Sequence, residues 1–234
     1  METKAILFDL GDTLFDLTNY TCVARRIMLE KLIDQGTQIS NPGQAEKIFK
    51  NVIEEHAKPH ADRLFLNDFF LTKFFEELGI KTKTNFPRIA LIIYRDIIKS
   101  LITPSPLVIQ TLAALKARGY KLGIITDGSI NTTYEILMRL AITTFFDTIV
   151  VSEEVGTEKP NSRIFKEAAE RLNVKTTETM IVGDNLERDI KGGKKAGMTT
   201  VLMERHRLSE RSRIKPDFKI QIITEVLDLP PVRN

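Results

Sequence analysis

Four short stretches of this sequence place side chains suited to phosphoryl chemistry at or beyond the ends of apolar runs. Asp9 follows the run Ala5 to Phe8 and opens Asp9-Leu10-Gly11-Asp12-Thr13. Thr126-Asp127-Gly128 ends the run that begins at Lys121, and Lys159-Pro160 follows the run Thr148 to Ser152. Gly183-Asp184-Asn185 ends the run from Met180, with Asp189 five residues beyond Asp184. Two carboxylates from adjacent strand ends, Asp9 and Asp184, repel each other unless a cation lies between them. An all-oxygen donor set with few protein groups suits Mg²⁺, which keeps waters and takes its remaining oxygen from substrate phosphate. Thr126 with the flexible Asp127-Gly128 turn supplies donors for phosphate oxygens, and Lys159 supplies a positive charge for them. Carboxylate, cation, donors and lysine together are the parts of phosphoryl transfer through an aspartyl phosphate. Each stretch alone is ordinary turn chemistry; their common position after predicted strands gives them weight.

Such groups need a scaffold that gathers strand ends, and the patterning supplies one. Residues 5 to 10 form a short apolar run ending in Asp and Gly, as a buried strand feeding a loop does. From about Thr18 to Ser100 the pattern is helical. Cys22, Ile27, Met28 and Leu32 recur at helical spacing, Pro42 and Gly43 break it, and Ile48, Phe49, Val52 and Ile53 resume it. Phe65, Phe69, Phe70, Phe74 and Phe75, five of the chain's 13 phenylalanines, repeat along one face of a helix ending near Gly79. That stripe reads as the core of a small helical bundle in preference to an aromatic substrate pocket.

After Pro104 and Pro106, helices and strands alternate. Leu107 to Ala117, stopped by Gly119, Ile130 to Leu140, Ser162 to Leu172 and Arg188 to Ala196 read as helices. Lys121 to Thr126, Thr148 to Ser152, Met180 to Gly183 and Thr199 to Met203 read as strands, and Pro216 to Leu229 as a last short strand and helix. The alternation predicts an α/β fold, a doubly wound parallel sheet built from both ends of the chain, with a helical insert after the first strand. In such sheets ligands lie beyond the carboxyl ends of the strands.

In this order, and around one helical insert, the four stretches resemble the four motifs of the haloacid dehalogenase superfamily of hydrolases. The likeness covers nearly the whole chain and is especially close over Val182 to Met198. It implies a Rossmann-like core of residues 1–17 and 101–234 and a small α-helical cap of residues 18–100. Asp9 is then the nucleophile, Thr126 and nearby backbone N–H groups at Asp127 and Gly128 hold the phosphoryl group, and Lys159 steadies both. Asp9, Asp184 and the carbonyl oxygen of Gly11 would bind Mg²⁺, while Asn185 and Asp189 support its water shell. For Asp189 the residues alone leave open a plain capping carboxylate in the first turn of its helix. The implied activity is Mg²⁺-dependent hydrolysis of a small phosphorylated metabolite, under a cap that excludes water and sets specificity.

One position departs from the phosphatase pattern. The family's phosphatases carry a second Asp two residues after the nucleophile, the general acid for the leaving alcohol and then the base for water; here that residue is Gly11. In an extended segment consecutive side chains point to opposite faces, so Asp12 is read as stabilising the loop through local backbone hydrogen bonds. Metal binding needs only the backbone oxygen of residue 11. General acid–base catalysis contributes about 10²- to 10⁴-fold, so slow turnover of alkyl phosphates is expected unless the leaving group is good or another residue donates. Two other readings follow from Gly11: a 2-haloacid dehalogenase-type hydrolase, whose halide departs without an acid, and a non-catalytic phosphate-binding or interaction protein of the same fold. The family's dehalogenases use no Mg²⁺ and their fourth motif generally lacks the first carboxylate, so Asp184 favours the phosphatase.

Composition bounds the remainder. The 234 residues are 42% hydrophobic and 28% charged, which argues against a disordered or fibrous chain. Lys and Arg number 34 against 31 Asp and Glu, and a net charge of +3 makes no electrostatic case for nucleic acid. No stretch approaches the roughly 18 apolar residues of a membrane span, and the run before Asp9 is too short for a secretory segment; a cytoplasmic location and a small-molecule partner are expected. Cys22, the single cysteine, reads as a buried small hydrophobe. His56 and His60 lie four apart beside Glu54 and Glu55, but Pro59 disrupts the helix that would align them, so a solvated helix end is favoured over a zinc site. The basic run Arg205, His206, Arg207, Arg211, Arg213 and Lys215 contains acidic residues and no aromatics, and reads as an exposed loop.

Overall fold

A computed structural model describes residues 2–37, 39, 41–56, 68–80, 85–205 and 213–229. The chain runs from β1 (Ala5–Phe8) through helices α1 (Leu17–Asp34), α2 (Pro42–His56), α3 (Asp68–Glu77) and α4 (Phe86–Leu101). It continues with α5 (Pro106–Ala117), β2 (Lys121–Thr126), α6 (Ile130–Arg139), β3 (Thr148–Val151), a short α7 (Ser152–Val155) and α8 (Ser162–Arg171). Then come β4 (Thr179–Gly183), a wide π-type turn (Leu186–Ile190) leading into α9 (Lys191–Ala196), β5 (Thr199–Met203), β6 (Phe218–Ile220) and a closing 3₁₀ segment (Ile223–Asp228). Two compact units result, Met1–Asp16 with Thr103–Asn234, and Leu17–Ile102.

In the first unit the strands form one six-stranded sheet in the order β3-β2-β1-β4-β5-β6, every neighbouring pair parallel. Every residue of β1 and β4 is buried, which is why both read as unbroken apolar runs and not as alternating ones. Ala5 lies opposite Lys121 of β2 and Thr179 of β4, so Phe8 is level with Ile124 and Val182. The residue after Phe8 therefore emerges between the ends of β2 and β4. Ala5, Leu7, Ile125, Val150 and Ile181 pack against Ile164, Phe165 and Ala168 of α8, forming an apolar layer under the site. The fold class is the one expected.

Local differences have local causes. The helix expected from Arg188 starts earlier, as a widened turn, because the Asn185 side chain accepts hydrogen bonds from the N–H groups of both Glu187 and Arg188. The last predicted helix is a 3₁₀ segment, too short to gain from α-helical propagation.

In the second unit α1 packs on α4 and α2, and α3 packs on α2 and α4, closing a ring of four helices. Its core holds Met28, Leu32, Phe49, Phe74, Phe75, Tyr94 and Ile98. The Phe49 and Phe74 rings meet edge to face at 5.1 Å. Of the phenylalanine stripe, Phe74 and Phe75 are core residues, Phe70 is half-buried, Phe69 is 52% exposed, and Phe65 lies outside the described residues. Pro42 and Gly43 do not interrupt a helix but open α2, where Asn41 accepts from the Gln44 N–H at 3.1 Å and Pro42 takes the first helical position. Cys22 is half-buried, its thiol 3.9 Å from a Glu46 carboxylate oxygen, which corrects the expectation of a fully buried thiol. Pro59, His60 and the side chain of His56 lie outside the described residues. Among the described residues no single helix is long and apolar enough to cross a membrane.

Candidate active site

Asp9 is the first residue past β1, 5% exposed, its N–H still bonded to the Val182 carbonyl at 2.9 Å. The chain then turns: Leu14 N–H reaches the Leu10 carbonyl at 3.0 Å and Gly11 bridges to Phe15. Asp12 sits in the left-handed region with φ 56°, a conformation that Asp tolerates better than most residues at a cost of about 1–2 kcal/mol. The segment is thus not extended at Asp12, as the strand-like reading had assumed. Thr13 is fully buried and its hydroxyl lies 3.5 Å from Asp9 Oδ2.

Lys159 joins three of the predicted stretches. Its side chain is fully buried, and Nζ donates to Asp9 Oδ1 at 2.5 Å and to Asp189 Oδ1 at 2.7 Å. Its own N–H donates to Asp127 Oδ1 at 3.0 Å, and a cis peptide links it to Pro160. Burial works against the charged ammonium, but the carboxylates of Asp189, Asp9 and Asp127 outweigh it and hold Lys159 above its ordinary pKa.

Asp189 is also fully buried, and its second oxygen accepts the Asn185 N–H at 3.0 Å. Gly183 makes this close packing possible, because a Cβ there would lie 2.5 Å from Asp189 Cβ. Asp189 is therefore a partner of Lys159 and a member of the acidic cluster, more than a helix-capping carboxylate.

Thr126 ends β2, buried beside Val151 of β3. Asp127 and Gly128 are turned to protein partners in this structure: the Asp127 carboxylate holds the Lys159 backbone, and Gly128 N–H donates to Ser152 Oγ at 3.0 Å. The Asn185 side chain is likewise engaged as the cap of the widened turn. Three residues near this cluster escaped the sequence reading. Ser152 orders the turn after β2. Arg188, inside the fourth stretch, puts Nη1 3.7 Å from Asp127 Oδ2. Arg205, expected in an exposed loop, is half-buried and bonds to the carbonyls of Asp12 and Thr13 at 3.0 and 3.1 Å. His206, Arg207 and Arg211 of the same basic run lie outside the described residues.

Asp9, Asp184 and Asp189 bring carboxylate oxygens within 4.8 Å of one another. Burial pushes the Asp9 carboxyl up to about 6, with Lys159 opposing and Asp189 adding to the rise. Burial, then the charges of Asp9, Asp189 and Asp12, push Asp184 up to about 8. Among the described residues, buried Asp184 Oδ1 has no hydrogen-bond partner. One ammonium between three crowded carboxylates, one of them with an unmatched buried oxygen, is a site that fits a small divalent cation with a taste for oxygen.

A sequence profile of haloacid dehalogenase-like hydrolases matches residues 6–203. The chain belongs to this hydrolase family. Among its relatives, a glyceraldehyde 3-phosphate phosphatase of Methanopyrus kandleri is 35% identical over 231 residues, covering 97% of this hydrolase and 96% of the relative. The enzyme of the same name from Methanothermobacter thermautotrophicus is also 35% identical, covering 98% and 99%. Among solved structures, a hydrolase of the family from Bacillus subtilis, bound to magnesium, is similar at a TM-score of 0.73 and 25% identity, covering 97% of this hydrolase and 98% of that chain. Mg²⁺ use and an aspartyl-enzyme intermediate are typical of the family.

Proposed function

We propose that this hydrolase is a Mg²⁺-dependent phosphatase acting on a small phosphorylated metabolite. A three-carbon sugar phosphate, the substrate class named in its archaeal relatives, heads the candidates. The reading rests on one observation above the rest: a buried ammonium, Lys159 Nζ, aligns Asp9 beside an acidic cluster with a vacant hydrogen-bonding oxygen. An Asp9 oxygen attacks phosphorus as the ester P–O bond breaks, giving phosphoryl-Asp9 and an alkoxide that takes its proton from solvent; water then attacks phosphorus, gives up a proton to solvent, and the bond to Asp9 breaks to release phosphate and restore the carboxylate. Lys159 keeps one Asp9 oxygen fixed so that the other is presented for attack, and Thr126 is placed at a neighbouring strand end to donate to phosphoryl oxygens.

Asp9, Asp184 and the Gly11 carbonyl would hold Mg²⁺, with Asp189 and Asn185 ordering the surroundings. When bound, the ion supplies positive charge that offsets the phosphate and the carboxylates. Gly11 offers no side-chain proton for the leaving oxygen, so turnover should depend steeply on leaving-group acidity. The helical unit Leu17–Ile102 is proposed as the family's cap, the part that chooses the substrate.

Hydrolysis of an aryl phosphate, with and without Mg²⁺, tests the reading. The wild type is expected to turn over in Mg²⁺ and Asp9→Asn to be inactive. A wild type no faster than Asp9→Asn under both conditions defeats it. Metal-free halide release from a 2-haloacid would assign the dehalogenase instead.

A further inference from the structure

The loop that carries the nucleophile is gripped from outside the four motifs. Arg205 stands two residues past β5, and β5 is separated from β1 by β4. The side chain therefore reaches across the carboxyl end of β4 to the loop after β1. There Nε donates to the Asp12 carbonyl at 3.0 Å and Nη2 to the Thr13 carbonyl at 3.1 Å. Consecutive carbonyls of an extended strand point to opposite sides, so one guanidinium can take both only because the chain turns at Asp12. The planar fork of arginine fits two neighbouring acceptors in a way that a single ammonium does not.

We infer that Arg205 is a positioning residue that fixes the Asp9-to-Thr13 loop, and through it the affinity for Mg²⁺ and the rate of phosphoryl transfer; this rests on the phosphatase reading above. The torsion φ of Asp12 rotates the peptide plane joining it to Gly11, and so aims the Gly11 carbonyl, the backbone oxygen assigned to the metal. Clamping the next two carbonyls holds the peptide planes that follow Asp12, so that the turn at this residue keeps its course and the plane before it has less room to swing. The same clamp holds Thr13, whose hydroxyl faces Asp9 Oδ2. The arm itself is anchored. Glu204 N–H bonds to the Ile220 carbonyl at 2.8 Å, and the Glu204 carboxylate pairs with Lys219 at 2.7 Å, tying the base of Arg205 to β6. None of these partners is a group that reacts, so Arg205 acts through backbone geometry and not as a proton donor.

Titration calorimetry with Mg²⁺ alone, together with aryl-phosphate kinetics, tests this on wild type, Arg205→Lys and Arg205→Ala. Loss of a group that orients metal ligands commonly costs about 10- to 100-fold in metal affinity or activity. The Mg²⁺ dissociation constant of Arg205→Ala is expected to rise by about that factor and kcat to fall with it, with KM for the aryl phosphate changing less than about threefold. Arg205→Lys, which keeps the charge and the stem, should recover only part of both losses. A Mg²⁺ dissociation constant within twofold of wild type in Arg205→Ala overturns the inference. If Arg205→Ala does not fold, the same result in Arg205→Lys does so. A wild type that binds Mg²⁺ but shows no Asp9-dependent hydrolysis defeats the phosphatase reading, and the calorimetry still decides the clamp. A wild type that binds no Mg²⁺ overturns the inference even if hydrolysis persists.

Discussion

Replacing Asp184 with Asn should make the metal-free protein more stable while abolishing the proposed Mg²⁺ site. The carboxyl is raised from 3.8 to about 8 by burial and by Asp9, Asp189 and Asp12, so its ionised form is unwelcome in the folded state. A group with a raised folded pKa lends stability below its unfolded value and loses it as pH climbs through the folded value. For Asp184 the loss runs from about pH 4 to about pH 8. At roughly 1.4 kcal/mol per unit the full shift is worth at most about 6 kcal/mol. Asn removes the charge but leaves a buried amide whose unmatched groups cost about 1–3 kcal/mol. The expected net gain at pH 9 is at most about 3–5 kcal/mol, or ~6–20 °C in Tm for a chain of this size. Near pH 4.5 the wild-type carboxyl is already protonated and the gain should vanish. The chain has no tryptophan, so unfolding is best followed by far-ultraviolet circular dichroism in EDTA at both pH values. An Asn variant less stable than wild type at pH 9, or a gain of equal size at both pH values, would refute the crowding of charge on which this reasoning depends.

Three other outcomes are expected. Lys159→Met strands two buried carboxylates, Asp9 and Asp189, and should cost about 3–5 kcal/mol in urea unfolding at pH 8 but clearly less at pH 5, below the raised value of about 6 at Asp9; the same loss at both pH values counts against the bridge. Without metal, Asp184 holds its proton to about pH 8 and Asp9 to about pH 6, so Mg²⁺ must displace protons and bind more tightly as pH rises from 6 to 8. Calorimetry in buffers of different ionisation enthalpy would register the release, and a dissociation constant flat across that range would contradict it. Gly11 is not held in the left-handed region, so Gly11→Asp meets no strain of that kind, and it should flatten the dependence of rate on leaving-group acidity; equal wild-type rates for alkyl and aryl phosphates would show that no acid is missing.

The parts of this protein that rest on short-range chemistry were readable in advance. β2 and β5 match their apolar runs residue for residue, since a fully buried parallel strand is marked by such a run and little else. Asp9, Lys159, Asp184 and Asp189 converge because strand order brings their loops together at the carboxyl ends of the strands, and the order of the motifs foreshadowed that. What depended on side-chain direction was not legible. No spacing announces that the Asp127 carboxylate holds the Lys159 backbone or that Gly128 N–H donates to Ser152. The Phe69 and Phe74 spacing is equally helical, but only packing decides that Phe74 is core and Phe69 is half exposed. Arg205 was hidden among basic neighbours, since its partners are backbone carbonyls some 190 positions away and carry no sequence signature.

The central place of β1 also governs when this site comes into being. β1 needs partners on both sides, and both come later in the chain, beginning at Lys121 and Thr179. During synthesis β1 must wait, unpaired, while the contiguous helical unit Leu17–Ile102 emerges and gains the local contacts it needs to fold. Only after Asp189 has left the ribosome can Lys159 find both carboxylates, and only after Ile220 can the arm bearing Arg205 be tied down. Asp9, the proposed nucleophile, is thus translated well before Lys159 and Asp189, so a nascent chain cut short between them would carry Asp9 without the groups that position it.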